Sequence, residues 1–145
     1  MREDSQYFIW NKGDVYFFDR NQFFKTSEFA CQCSNKDCKE QRISKDLITK
    51  LNLIRKEVNE PILVTSGFRC KKHQEHLRKS GVNTVVAKQS THELGEAVDL
   101  KPTRMRISDF LVFCAKHFYA IGIAKSFLHV DMRGQEDKRV RRWDY

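Results

Sequence analysis

Two short runs carry side chains able to grip a metal ion: Ser90-Thr91-His92-Glu93-Leu94-Gly95-Glu96-Ala97-Val98-Asp99 and, later, Phe127-Leu128-His129-Val130-Asp131. His92, a carboxylate seven residues on at Asp99, and a second histidine at 129 offer two imidazoles and one carboxylate. That donor set suits Zn²⁺, and three protein ligands leave a fourth position open for water or substrate. An open position separates a working zinc from a structural one, and the chemistry it points to is hydrolysis.

A second metal-seeking group lies in the polar loop Cys31-Gln32-Cys33-Ser34-Asn35-Lys36-Asp37-Cys38, with Cys70 beyond the next strand. Neighbours at 31 and 33 are badly placed to bridge each other, because a disulfide needs a particular separation and Cβ orientation. Three readings stand: Cys31, Cys33, Cys38 and Cys70 closing a tetrahedral structural zinc, buried free thiols, or a single disulfide to Cys70. Five cysteines in the chain are an odd count, which fits thiols or metal ligands better than a closed disulfide framework.

The elements that must position these groups follow from periodicity. Residues 7–18 read as two aromatic strands around a Gly-containing turn, a hairpin covering the core. From Ser44, a plausible N-cap, to Val58, apolar residues recur at three- and four-residue steps through Leu47, Ile48, Leu51, Ile54 and Val58, and Asn59 and Pro61 end the helix. Pro61 to Ser66 is a short buried strand, Lys71 to Ser80 a helix stopping at Gly81, and 82–91 a long polar loop leading to His92. Residues 96–100 form a strand ended by Pro102. Ser108 caps a second amphipathic helix with Leu111, Val112, Ala115 and Phe118 on one face. Gly122 breaks the chain before a strand over 127–132, and Arg141-Arg142-Trp143 makes a last strand. In the 127–132 strand Phe127, His129 and Asp131 share a face, as Ala97 and Asp99 do in theirs, while Val98 and Leu100 point into the core. The expected fold class is α+β: a single domain with a small antiparallel sheet carrying the zinc site and helices packed on one side. Within it, residues 1–20 are expected as an N-terminal extension and 21–145 as the metal-binding domain.

Composition bounds the rest. A chain of 145 residues with 40% hydrophobic content and eleven Phe makes one domain with a real core. Runs such as Phe110-Leu111-Val112-Phe113 are far too short to span a bilayer, and no membrane partner is expected. The polar start Met1-Arg2-Glu3-Asp4 lacks the apolar stretch of a secretory signal. With 27 Lys+Arg against 19 Asp+Glu the net charge is +8, which favours anionic partners: nucleic acid, a membrane surface or a polyanionic cell wall.

Ser90-x-His92 with Gly95, Ala97 and Asp99, followed by Phe127-Leu128-His129-Val130-Asp131, resembles the zinc D-alanyl-D-alanine carboxypeptidase-type metallopeptidases. That family includes phage L-alanyl-D-glutamate endopeptidases and shares its zinc fold with the hedgehog signalling domain. Ser27-Glu28-Phe29-Ala30-Cys31, Thr65-Ser66-Gly67-Phe68-Arg69-Cys70 and the closing Arg142-Trp143-Asp144-Tyr145 add to the likeness, in the family's order. The resemblance implies that His92, Asp99 and His129 bind one catalytic Zn²⁺. It implies that Arg69 holds substrate and stabilises the oxyanion formed as water attacks the peptide carbonyl, a task suited to a permanently charged, two-pronged guanidinium. Ser90 is expected to orient the ligand loop or contact substrate. The substrate implied is the peptidoglycan stem peptide, cut by a D,D-carboxypeptidase or an L-alanyl-D-glutamate-type endopeptidase. The expected state is a monomer in a host cytoplasm, released to the wall as a phage endolysin would be, or carried on a virion.

One departure from the family pattern matters. Relatives place an acid or a histidine two or three residues before the last ligand, where it takes the proton from the attacking water; here Ser126 and Phe127 stand there. Neither serves as a base unaided. Asp131, on the same strand face as His129, is the expected substitute and therefore a catalytic residue, unless it orients a ligand instead; Glu93 and Glu136 rank behind it. Two rival functions remain: a non-catalytic zinc-binding module of the same fold, and a basic nucleic-acid binder with a cysteine-held zinc. No nucleic-acid motif is present, which ranks the latter last.

Overall fold

The computed structural model describes residues 1–18, 20, 22–80 and 90–145. The expected helix stop at Gly81 and most of the polar loop before His92 lie outside them. In chain order the elements are β1 (Arg2–Glu3), β2 (Tyr7–Asn11), β3 (Glu40–Ser44), α1 (Lys45–Val58), β4 (Ile62–Ser66), α2 (Lys71–Ser80), β5 (Ala97–Pro102), α3 (Ile107–Ala115), β6 (Ala120–Ile123), β7 (Leu128–Asp131) and β8 (Arg141–Asp144).

Helix α1 forms where its signals place it. The Ser44 hydroxyl accepts the Leu47 amide at 3.2 Å, satisfying one of the free donors of the first turn. Leu47, Ile48, Leu51, Ile54 and Val58 are all buried, each contributing roughly 1.5–3 kcal/mol by leaving water. Asn59 ends the helix in the left-handed region at φ 52°, a conformation its short polar side chain tolerates.

Two sheets result. A three-stranded antiparallel sheet runs β1-β2-β3, and a five-stranded sheet runs β4-β5-β7-β6-β8. The larger is antiparallel throughout except for the parallel β6/β8 pair at its edge. Val98 and Leu100 of β5, Leu128 and Val130 of β7 and Ile121 of β6 join Leu47, Leu51, Phe110 and Phe118 in one buried cluster. The apolar face of the sheet thus packs on α1 and α3, and the opposite face is left for polar groups. This is the α+β arrangement expected, with one parallel pairing added.

Four local expectations change. No hairpin spans 7–18: β2 pairs with β1 and β3, and Phe17 makes only an isolated bridge to Lys25. The aromatic residues still cover a core, with the Phe18 ring 5.6 Å from Trp10 and 5.3 Å from Phe29. Residues 2–11 are therefore built into the fold through β3, whose polar Glu40-Gln41-Arg42 hides its strand character. Ser108 does not cap α3. The N-cap is Arg106, with no side-chain cap bond, and the buried Glu60 carboxylate instead accepts the amides of Thr103, at 2.9 Å, Arg104 and Met105 in the turn before it. Burial on α3 falls on Phe110 and Cys114, while Val112 is exposed. Gly122 lies inside strand β6 rather than breaking the chain, because the Trp143 ring packs on it so closely that a Cβ would sit 2.6 Å from the indole.

Candidate metal centre

The register of β5 against β7 sets Asp99 directly opposite His129. Directly opposed side chains on one face of an antiparallel pair meet, and alternation turns both away from the core. His92 reaches them from the turn preceding β5. Its Nε2 lies 3.2 Å from Asp99 Oδ1 and 3.2 Å from His129 Nδ1, and the latter is 3.0 Å from Asp99 Oδ1. All three residues are buried.

The backs of both imidazoles decide what these atoms present to one another. His92 Nδ1 is 2.7 Å from the Gly67 carbonyl, which can only accept, so Nδ1 carries the proton and Nε2 a lone pair. His129 Nε2 is 2.8 Å from Asp131 Oδ2; a carboxylate again accepts, leaving the Nδ1 lone pair facing inward. With both imidazoles neutral, two nitrogen lone pairs and a carboxylate oxygen converge with no hydrogen among them, an arrangement that repels unless a cation sits between. Zinc–ligand bonds of 2.0–2.1 Å arranged as a tetrahedron put ligand atoms about 3.3 Å apart, close to the spacing seen. Among the described residues no fourth His, Cys, Asp or Glu offers an atom to this group. The donor set fits Zn²⁺ with one corner free.

The charges agree. Burial holds the His92 imidazole below its ordinary pKa despite the neighbouring Asp99, which favours the neutral ligand form. Burial works against the Asp99 carboxylate, but the two imidazoles outweigh it and hold the group well below the usual carboxylate range. For His129 burial pulls downward, and the Asp131 and Asp99 carboxylates outweigh it and raise the pKa.

Arg69 lies beside the ligands. Its Nη2 is 3.2 Å from Asp99 Oδ2, its Nε donates to Ser66 Oγ at 3.1 Å, and its Nη1 to Gln74 Oε1 at 3.4 Å. Holding Oδ2 leaves Oδ1 turned toward the two histidine nitrogens, where it would ligate a metal. Ser90 Oγ accepts the His92 amide at 3.1 Å, so this hydroxyl sets the ligand turn. Gly67, whose carbonyl fixes His92, lies so close to Phe29 that a Cβ would be 2.6 Å from the Phe29 Cα and carbonyl oxygen.

Asp131 does not face the open corner, and its expected role as base is corrected on that ground. It is fully buried on the far nitrogen of His129, and both oxygens are taken. Oδ1 accepts the Arg133 amide at 2.9 Å and Nε at 3.0 Å, while Oδ2 accepts His129 and the Arg133 Nη2. Burial pushes this carboxyl upward, but His129 and Arg133 outweigh it and lower it to about 2. A charged, saturated carboxylate in that place orients an imidazole. Glu96, in the ligand stretch, accepts from the Tyr7 hydroxyl at 2.8 Å.

Sequence reasoning missed four contributors. The Gly67 carbonyl has no side-chain signature. Arg133 became visible only through Asp131. Trp143 of β8, whose ring is 5.5 Å from His129, and Tyr145 just beyond β8, 5.6 Å from Phe127, wall the site, and the closing Arg142-Trp143-Asp144-Tyr145 was their only signal. The second expected group also assembles: Cys31, Cys33, Cys38 and Cys70 converge as free thiols, and the fifth, Cys114, is buried elsewhere in α3.

Comparison with known proteins agrees with this geometry. The family model described as Peptidase M15 matches residues 22–131. The crystal structure of the Serratia marcescens L-Ala D-Glu endopeptidase ChiX is similar in fold, with a TM-score of 0.52 at 16% identity, covering 66% of this chain and 84% of that one. No curated protein sequence matches significantly. With the family match running from before the cysteine loop through the last ligand strand, the chain belongs to the M15 peptidases, the zinc D-Ala-D-Ala carboxypeptidase-type family.

Proposed function

We propose that the chain is a zinc-dependent peptidase that cuts peptidoglycan stem peptides, of the L-alanyl-D-glutamate endopeptidase kind. The observation that carries this is the convergence of His92 Nε2, Asp99 Oδ1 and His129 Nδ1 with both imidazole backs hydrogen-bonded. Membership of a peptidase family supports the reaction class, and the fold shared with an L-Ala D-Glu endopeptidase supports the bond. Zn²⁺ held by these three residues would polarise the scissile carbonyl and bring a water's pKa to about 7.

The chain's own groups do the rest. Asp131 and Gly67 hold the two imidazoles in the tautomers that ligate. Arg69 keeps Asp99 turned with one oxygen inward, and its fixed charge favours the anion that forms as water adds to the carbonyl. Trp143 and Tyr145 line one flank, where a substrate's apolar surface can rest. The net charge of +8 draws the chain to an anionic wall.

Purified protein incubated with cell-wall sacculi is expected to release new amino termini, and His92→Ala to abolish the release. Release that persists in this variant would refute the reading. Product masses separate an interior cut from removal of a terminal D-alanine.

A further inference from the structure

The four clustered cysteines lie outside the peptidase chemistry, and an inference from them does not depend on it. Their sulfurs all lie within 4.8 Å of one another, and Cys33 Sγ is 3.6 Å from Cys70 Sγ. A tetrahedral metal with metal–sulfur bonds of 2.3 Å spaces its sulfurs about 3.8 Å apart. A lone disulfide would bring two sulfurs together and gives no reason for the other two to join them.

Hydrogen-bond donors surround the sulfurs. Each of the four sulfurs receives at least one N–H donor: Cys31 from the Cys70 amide at 3.3 Å, Cys70 from the His73 amide at 3.4 Å, Cys38 from the Gln41 side chain at 3.4 Å and Cys33 from the Lys12 ammonium at 3.7 Å. Donors aimed at every sulfur stabilise negative charge there, and Lys12 brings a full positive charge. His73 Nδ1 is 3.3 Å from Cys31 Sγ. A Cys31–His73 nucleophile pair fits poorly, because Cys31 is buried away from any substrate and its sulfur already accepts the Cys70 amide.

We propose that Cys31, Cys33, Cys38 and Cys70 bind a second Zn²⁺ as a closed tetrathiolate, a structural site that clamps the 31–38 loop to the turn carrying Arg69. Four thiolate ligands fill the coordination shell and leave no open corner, so the site is structural. Binding exchanges four thiol protons for one Zn²⁺, leaving a complex of net charge −2 that Lys12 partly offsets. The clamp closes the end of a run of hydrogen bonds in which the Phe68 amide donates to the Phe29 carbonyl at 2.8 Å and the Gln32 side-chain Nε2 to the Thr65 carbonyl at 2.7 Å. That run fixes the turn holding Gly67 and Arg69, so the thiolate site supports the orientation of His92 and Asp99 from behind.

Metal analysis of the full chain, purified reduced, tests this. About two zinc ions per chain are expected, about one in Cys38→Ser, about one in His92→Ala, and about two in Cys114→Ser. Should Cys38→Ser fail to fold, cobalt decides with otherwise native protein: Co²⁺-loaded His92→Ala is expected to keep strong thiolate-to-cobalt absorption. About one zinc in the unmodified chain with no such absorption overturns the proposal. So does iron in the thiolate site, or an intact mass two hydrogens short from a Cys33–Cys70 disulfide.

Discussion

Buried Asp131 and exposed Arg133 pair behind His129, and that pair decides which nitrogen of the imidazole faces Asp99 and His92. Asp131→Asn keeps the shape and removes the charge. Zinc affinity is expected to fall about 10–100-fold, measured by competition with a chelator, and turnover to recover when zinc is added in excess. Undiminished affinity with turnover lost would instead make Asp131 the base. At this scale the sequence was informative about donors and silent about supports. His92, Asp99 and His129 are legible because two imidazoles and a carboxylate on strand-like alternation have few other uses together. Alternation also put Asp131 on the face of His129, but it cannot tell which side of an imidazole ring a carboxylate approaches. The Gly67 carbonyl belongs to a residue with no side chain, and only the close approach of Phe29 marks it.

Among the elements, the turn leading into α3 shows how a helix starts without a cap of its own. The Glu60 carboxylate gathers the amides of Thr103, Arg104 and Met105 and the Thr103 hydroxyl, at 2.8 Å. Burial acts against its charge, but these donors outweigh it and lower its pKa. A carboxyl lowered in the folded state stabilises the fold above the ordinary carboxylate range and loses that contribution as pH falls through the folded value. Glu60→Gln is therefore expected to melt at lower temperature than the unmodified chain near neutral pH, with the gap closing in acid. Equal melting temperatures at neutral pH would contradict this role. Ser108 looked like the cap because serine before an apolar run is the usual signal, whereas a glutamate some forty residues upstream in the chain leaves no local trace. Helix α1, with its serine cap, regular apolar period and left-handed Asn59, was legible from end to end because every signal there is local.

For the whole molecule, what sequence alone conveyed was the class of fold and not its wiring. Strand β3 lies at the edge of the smaller sheet, with Glu40 exposed and Gln41 accepting the Cys31 amide, so its polar run carries no strand signal, and β6 reads as a break because Trp143 needs the space of Gly122. Pairings between distant segments leave no periodicity to read. Charge is a property of the same scale: at +8 the chain would be attracted over long range to the proposed anionic wall, and salt would screen that attraction within about 8 Å at physiological strength. Cleavage of intact sacculi is expected to fall with added salt more steeply than cleavage of a small soluble stem peptide, and parallel declines would rule out wall attraction. The account rests most heavily on the ion held by His92, Asp99 and His129, and a defined muropeptide assayed by mass spectrometry tests it directly. Protein stripped of metal should leave the peptide intact and, on return of zinc, cut between L-alanine and D-glutamate, whereas cleavage by the stripped protein, or none after zinc is restored, would contradict it.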